Sequence, residues 1–294
     1  MTGGMEVYRR LLVPLDGSEL AEQALPYVLK ISRGFDSEAV LLTICPPGDP
    51  LKHVLVEYLE KKAEGLRASN VEVRTLCIEG EPASSILDFA LGNQVDLILI
   101  STHGKGGLSR WALGSIATKV VQRSHTPVFL VRSSERAETA VKLEKILATL
   151  DGSQFAEAIL PHAEAFARAM GGEVVLLQVI EPVKVPQLTM SEDWAKAEKD
   201  LADKLQREAE RYLNRRKTLL EEKRIKVTTK LLQDRPAEAI LRYASESDVD
   251  LIALTTHGFS GITKWAYGSV ASRVVEASTK PVLLVRPPLP AAKD

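Results

Sequence analysis

The sequence predicts a doubly wound α/β protein made of two tandem domains, each a five-stranded parallel sheet with helices on both faces. The first observation is an internal repeat: residues 71–132 align without a gap to residues 225–286, and 28 of these 62 pairs are identical. The second is that short runs of Leu, Ile and Val alternate with segments of helical periodicity in each copy. Such runs are typical of parallel strands that are buried on both faces, and their alternation with helices indicates an α/β sheet.

The repeat also predicts the domain boundaries. We expect a first domain at residues 6–133, a polar linker at 134–142 and a second domain at 143–287. A chain of 294 residues agrees with two domains of about 150 residues each. The second copy has a longer segment at 181–224 than the first has at 46–70, so a helical insertion is predicted at about 185–224.

Each strand is predicted from an uninterrupted apolar run. In the first copy these runs lie at residues 10–15, 39–45, 71–77, 96–101 and 128–131, and in the second at 146–150, 174–180, 225–232, 250–255 and 282–285. Helices are predicted where apolar residues recur at intervals of three and four. In the first copy these segments are residues 19–32, 84–90 and 115–122.

The insertion is rich in Ala, Glu, Lys, Leu and Arg, which are good helix formers. One apolar stripe runs along it, made of Leu201, Leu205, Ala209, Tyr212 and Leu213. A helix of about 30 residues would be about 45 Å long, longer than a small sheet can cover. Its far end is therefore expected to contact either the first copy or a second chain, which would give a homodimer.

Composition narrows the class of protein. The 38 basic and 39 acidic residues nearly cancel, so nothing indicates a nucleic-acid partner. No apolar run approaches the ~20 residues that span a bilayer, and no leader is visible, so a cytoplasmic protein without a membrane partner is expected. The two cysteines lack metal-ligand spacing and are interpreted as buried, reduced thiols.

Two unusual loops follow strands in both copies. Asp-Gly-Ser follows the first strand at residues 16–18 and 151–153, and a longer loop follows the fourth strand at 101–115 and 255–269. In an open parallel sheet the carboxyl ends of the strands form the ligand-binding edge. The sequence therefore predicts one candidate site for each copy, at this edge.

The longer loop has the composition of a phosphate site. Glycines such as Gly104 and Gly107 expose backbone N–H groups, and Gly114-Ser115 leads into a helix whose N-terminus attracts anions. The alternative is a glycine turn followed by a serine helix cap, with no ligand. His103 and His257 either reach a phosphate or pack against their loop.

The aspartates also allow two interpretations. Asp16 and Asp151 stand three residues before Glu or Gln, as in a helix capping box. Alternatively, their carboxylates accept hydrogen bonds from ribose hydroxyls or lie near a metal ion. No base with a placed partner, metal-ligand cluster or activated nucleophile is evident, so an enzyme is the less favoured class.

The whole chain resembles a tandem universal stress protein. The likeness rests on "VPLDGS" and "TLDGS" at the first strand and on "STHG" or "TTHG", a nine-residue spacing and "GS" in each copy. The ATP-binding branch of that family has Gly-x-x-Gly, nine residues and Gly-Ser/Thr. Gly104 and Gly114-Ser115 fit this pattern, as do Gly258 and Gly268-Ser269, whereas Ser101 and Thr255 replace its first glycine.

The resemblance implies a Rossmann-like fold with strand order 3-2-1-4-5 in each domain and pairing of the domains through their last strands. It implies an ATP site, with Mg²⁺ as an accompanying ion, in each copy. The nucleotide-binding residues implied for the first copy are Pro14, Leu15, Asp16, Ile44, Ser101, His103, Gly104, Gly107, Gly114, Ser115 and Ile116. Those implied for the second copy are Asp151, Val179, Thr255, His257, Gly258, Gly268, Ser269 and Val270.

Three functions stay open at this point. The first is an ATP-binding stress-response regulator with little or no hydrolysis, acting on an unidentified protein partner. The second is an interaction module without nucleotide, and the third is a slow ATP hydrolase. The glycine and serine positions retained in both copies favour the first.

Overall fold

The computed structural model describes residues 8–102, 113–132, 141–182, 192–256 and 268–287. In the first half the strands are β1 (Arg10–Pro14), β2 (Glu38–Cys45), β3 (Val73–Glu79), β4 (Leu97–Ser101) and β5 (Val128–Val131). In the second half they are β6 (Lys145–Leu150), β7 (Glu173–Ile180), β8 (Lys226–Gln233), β9 (Leu251–Thr255) and β10 (Val282–Val285). The ten strands predicted from apolar runs are confirmed, and their ends match the prediction or differ from it by at most two residues.

The ten strands form one sheet in the order β3-β2-β1-β4-β5-β10-β9-β6-β7-β8. Each half therefore has the expected order 3-2-1-4-5. All pairs within a half are parallel. The halves join where β5 and β10 pair antiparallel, with Phe129 opposite Leu283, which confirms pairing through the last strands.

Helices cover both faces of the sheet. In the first half they are α1 (Glu19–Glu22), α2 (Leu25–Phe35), α3 (Lys52–Arg67), α4 (Pro82–Gly92) and α5 (Ser115–Arg123). In the second half they are α6 (Gln154–Glu157), α7 (Leu160–Met170), α8 (Glu192–Glu221), α9 (Pro236–Glu246) and α10 (Ser269–Ala277).

The single helix predicted at residues 19–32 is wrong, because it is interrupted between α1 and α2. Pro26 lies in the first turn of α2, and a proline has no N–H with which to continue the hydrogen bonds of a preceding helix. The chain therefore turns after Glu22 and starts a new helix at Leu25. The second half breaks in the same way, with Pro161 in the first turn of α7.

The two faces of the sheet carry separate cores, and each core continues across both halves. On one face Leu41 and Leu176 contribute to a cluster under α2, α3, α7 and α8. On the other face Leu42 and Leu177 contribute to a cluster under α4, α5, α9 and α10. Neighbouring strand residues point to opposite faces, so both cores draw on the same strands.

Aromatic rings from both halves meet at the joint. The ring of Phe166 on α7 lies 5.3 Å from that of Tyr8, 5.2 Å from that of Phe35 and 6.0 Å from that of Phe129. Tyr8, Phe129 and Phe166 have no exposed surface. Burial of such rings is among the largest contributions to core stability, so this cluster holds the first half to the second.

A half-buried histidine completes the cluster. The hydroxyl of Tyr8 lies 2.5 Å from Nδ1 of His162, and burial lowers the pKa of His162 from its ordinary 6.5 to about 4. With His162 neutral, the Tyr8 hydroxyl can donate to Nδ1. Protonation of Nδ1 would remove that acceptor, so the joint favours the neutral imidazole.

This arrangement predicts acid sensitivity. The depressed pKa means that the unfolded chain takes up a proton at His162 more readily, so stability falls as the pH decreases from about 6.5 to about 4. The shift corresponds to about 3 kcal/mol in all. Between pH 7 and pH 4.5 the native protein should lose about 2–3 kcal/mol more than His162→Gln in urea unfolding, because Gln accepts the Tyr8 bond but does not titrate. Parallel pH profiles of the two proteins would contradict this.

The insertion forms the long helix that was predicted. Toward its C-terminus, Ala209, Tyr212 and Leu213 are buried against the sheet, and the helix contacts β7 and β8 of its own half. Nearer its N-terminus, Leu201 is 45% exposed. The stripe is therefore only partly covered, and contact of this end with a second chain stays a prediction.

Candidate functional site

The Asp-Gly-Ser turn after β1 holds its aspartate by a local hydrogen-bond network. Oδ1 of Asp16 accepts hydrogen bonds from the Ser18 N–H at 3.0 Å and from the Ser18 hydroxyl at 2.6 Å. Gly17 has a φ of +80°, in the left-handed region that favours glycine. Oγ of Ser18 in turn accepts from the Ala21 N–H at 3.2 Å. The cap of α1 is therefore Ser18, and the interpretation of Asp16 as the cap is wrong.

The second half repeats this turn with one difference. Oδ1 of Asp151 accepts from the Ser153 N–H at 2.9 Å, and Ser153 caps α6 through Ala156. Asp151 is exposed, whereas Asp16 is half-buried. In both halves the carboxylate lies beside the helix start and does not cap it. Because each aspartate follows the end of a strand, β1 or β6, it lies at the carboxyl edge of the sheet.

A backbone hydrogen bond joins the two ends of each long loop. The Gly114 N–H donates to the Thr102 carbonyl at 2.7 Å, and the Gly268 N–H donates to the Thr256 carbonyl at the same distance. The residues directly before these hydrogen bonds are buried: Ser101 at the end of β4 and Thr255 at the end of β9. Helices α5 and α10 therefore start at the carboxyl edge of the sheet. Five predicted site residues lie outside the described residues: His103, Gly104, Gly107, His257 and Gly258.

The helix that follows each loop starts without a side-chain cap. Gly114 is the N-cap of α5 and Gly268 that of α10, and neither start has a side-chain capping bond. The suggestion that Ser115 caps the helix is wrong, because Ser115 is the first helical residue and is exposed. The first N–H groups of a helix have no acceptor within it and carry partial positive charge. Each start can therefore receive an anion.

An apolar wall faces the same edge. Ile44 and Ile116 in the first half, and Val179 and Val270 in the second, are half-buried and pack against the core under α4, α5, α9 and α10. All four were implied as nucleotide contacts. Their placement gives each site an apolar surface next to the helix start. Pro14 ends β1, and Leu15 connects it to Asp16.

In the second half these features surround one cavity of about 370 Å³. All the described residues predicted for this half line it, namely Asp151, Val179, Thr255, Gly268, Ser269 and Val270. Pro236 and Ile240 of α9 also line it and were not predicted as site residues. Pro236 has an equivalent in the first copy, Pro82. No local sequence pattern, however, shows that α9 reaches this edge of the sheet.

Position 81 and its equivalent, position 235, carry opposite charges in the two halves. In the first half, Glu81 accepts from the Ser84 N–H and pairs with Lys119, and these contacts lower its pKa to about 2. In the second half the equivalent position is Arg235. It lines an outer cleft of about 620 Å³ together with Arg273, and this cleft shares Ser269 and Val270 with the inner cavity.

The described residues contain neither a metal-binding cluster nor a membrane-crossing helix. Among them, no three His, Cys, Asp or Glu side chains are grouped so that they could hold a metal ion. Within the same part of the chain, no helix has the length and apolar character needed to cross a membrane.

Comparison with known proteins identifies the family. The pattern of the universal stress protein family matches residues 7–132 and again residues 142–286. The chain belongs to the universal stress protein family. Its two halves are two universal stress protein domains in tandem.

Other universal stress proteins resemble the chain over one domain or over both. One from Mycolicibacterium smegmatis is 27% identical, and the match covers 94% of this chain and 97% of that protein. One from Methanocaldococcus jannaschii is 30% identical over 45% of this chain and 87% of its own length. A crystal structure of a universal stress protein from Archaeoglobus fulgidus shares the fold, with a TM-score of 0.66 and 20% identity, covering 95% of this chain and 96% of that one.

Proposed function

We propose that this tandem universal stress protein binds an adenine nucleotide, namely ATP, as a regulatory ligand of the stress response. The observation that carries the proposal is the cavity of the second half, where a carboxylate, an apolar wall and an uncapped helix start converge. Its volume of about 370 Å³ lies in the range of small-molecule sites, roughly 300–1,000 Å³.

Each part of the site suits one part of a nucleotide. The half-buried Val179 and Val270 offer an apolar surface to a base. Asp151 can accept hydrogen bonds from ribose hydroxyls, as Asp16 can in the first half. The N–H groups at the start of α10, together with the Ser269 hydroxyl, can receive phosphate oxygens. Mg²⁺ would be carried mainly by the phosphates, as is usual for this ion.

Little or no hydrolysis is proposed for the same site. Hydrolysis requires a group that positions the attacking water and groups that stabilise charge on the transferred phosphoryl. The carboxylates of Asp16 and Asp151 are each held by the serine two residues later, which suits binding more than proton transfer. The bound nucleotide would then act as a signal that an unidentified protein partner reads.

The proposal is tested on the protein as purified. The native protein should be denatured and the released small molecules identified by mass spectrometry, with ATP, ADP and AMP as standards. We expect adenine nucleotide to be released, and ATP to bind again to the stripped, refolded protein in calorimetry. Phosphate release should stay at background. If no nucleotide is released and none binds, the nucleotide-free interaction module is the correct function; steady phosphate release would support the hydrolase.

We predict that the second site binds ATP about tenfold more weakly than the first, a difference of about 1.4 kcal/mol. Thr149 replaces the proline that the first half keeps at Pro14, and Thr255 is bulkier than Ser101 at the position of the family's first glycine. In the first half the Thr43 hydroxyl donates to the Leu15 carbonyl and so holds the turn, whereas at the equivalent position Oε1 of Gln178 is buried with no hydrogen-bond partner in the described structure. Calorimetric titration should resolve two affinities; two equivalent sites would contradict the prediction.

A further inference from the structure

The two cysteines of the chain are neighbours in the first half. Cys45 is the last residue of β2 and Cys77 lies in β3. Their sulfur atoms are 3.6 Å apart. Cys45 is buried and Cys77 is half-buried, so the pair has a buried side and a side that solvent reaches. The chain has no other cysteine, so any thiol measurement reports this pair alone.

The backbone does not place this pair for a disulfide. Cys77 is opposite Thr43 in the parallel register, and Cys45 is opposite Glu79. The two cysteines are therefore diagonal neighbours, two residues out of register. Strand spacing and rise put their Cα atoms about 8 Å apart, whereas cysteines more than about 7 Å apart require backbone movement before they can be bridged.

The distance between the sulfurs suits a shared metal ion. At a metal–sulfur distance of about 2.3 Å, two thiolates on one ion lie about 3.8 Å apart at a tetrahedral angle and about 4.6 Å apart when linear. The observed 3.6 Å is close to the lower of these values. Rotation of the half-buried Cys77 side chain can widen it without movement of the strands.

Among the described residues, no third His, Cys, Asp or Glu is grouped with this pair so that it could complete a metal site. The nearby carboxylate, Glu79, is engaged by the Lys52 ammonium at 2.9 Å and by the Gly48 N–H at 3.4 Å. Two thiolates without a third protein donor suit a soft monovalent ion, since thiolates select Cu(I). Such a complex carries one net negative charge and lies beside the Lys52–Glu79 ion pair.

The second half shows that sulfur is not required for packing at these positions. Ile180 and Leu231 occupy the places equivalent to Cys45 and Cys77, on strands of the same register. Aliphatic side chains therefore fill this part of the fold without disturbing it. The thiol pair is an addition of the first half, on the face of the sheet opposite to Ile44 and the nucleotide site.

We propose that Cys45 and Cys77 bind one Cu(I) ion through their two thiolates. Binding replaces both thiol protons: two thiols and one Cu(I) give a dithiolate complex of charge −1 and two protons. No oxidation state changes, so no oxidant is needed. The site is separate from the proposed nucleotide site and does not depend on it.

The test uses the native protein, kept reduced, and Cu(I) supplied from a coloured competing chelator. The control is the double variant Cys45→Ile with Cys77→Leu, which copies the second half and should stay folded. We expect the native protein to hold one more equivalent of Cu(I) than this control. Cys45→Ser and Cys77→Ser should each lower the affinity by at least about a hundredfold.

Two results would overturn the proposal. One is equal copper content in the native protein and the double variant. The other is undiminished binding in either single serine variant. Reaction of the native protein with a thiol reagent gives a second measurement: the half-buried Cys77 should react in the metal-free protein, and Cu(I) should protect it. Full reactivity in the presence of Cu(I) would also contradict the site.

Discussion

Replacement of Gly268 by valine is expected to abolish ATP binding at the second site while the protein stays folded. Gly268 has a φ of −59°, which any residue can adopt. A Cβ there would lie 3.6 Å from the Thr256 carbonyl oxygen, an ordinary contact. The branched side chain would instead occupy the space in front of the α10 N–H groups. We expect an affinity loss of at least about a hundredfold, or ~2.7 kcal/mol, which leaves no binding detectable by calorimetry at this site.

The same change at Gly114 should block the first site. In calorimetry each single valine variant should keep one of the two sites, and the double variant should bind no ATP. Gly65→Val is the matched control, because a Cβ at Gly65 on α3 meets no atom within 4 Å and this residue is remote from both sites. Unchanged ATP affinity in Gly114→Val and Gly268→Val would show that the helix starts do not receive the phosphates.

Truncation of Phe166 to alanine is expected to destabilise the protein by about 3–5 kcal/mol, the usual cost of removing a buried phenylalanine. The ring is fully buried and contacts three aromatic rings of the first half. The loss should therefore weaken the joint as well as the core of the second half. Urea unfolding of the native and variant proteins measures the change.

A control separates the joint from general core packing. Leu59 is also fully buried, and it lies on α3, which packs on β2 and β3 away from the joint. Leu59→Ala should cost about 2–5 kcal/mol without touching the contacts between the halves. A loss below 1 kcal/mol in Phe166→Ala would mean that the aromatic cluster does not hold the halves together.

The sheet could be predicted from the sequence because buried parallel strands are continuous apolar runs, which leave little ambiguity. Helix α3 was not predicted, although its buried residues Leu59, Ala63 and Leu66 recur at helical spacing. Its exposed Val54 and Val56 blur the periodicity, because they place apolar residues on the solvent side. Tertiary position, which sequence spacing does not record, decides which of these side chains is covered.

The candidate site was predictable where it depends on strand order. It was less predictable where it depends on local backbone conformation or on the path of a helix. Strand order places Asp151 and Gly268 at one edge, and both line the same cavity. The choice between Asp16 and Ser18 as helix cap depends on which residue takes the extended backbone conformation, and both are good capping residues. The lining by Ile240 depends on how α9 crosses the sheet.

The antiparallel pairing of β5 with β10 has a consequence for stoichiometry. A dimer of separate chains joined through the same strands would dissociate on dilution, whereas here the joint forms within one molecule. Its strength is governed by an effective concentration set by the connecting chain, not by the amount of protein present. The two halves therefore remain paired one to one at any abundance. Each half is also free to diverge, since a substitution in one is not copied into the other.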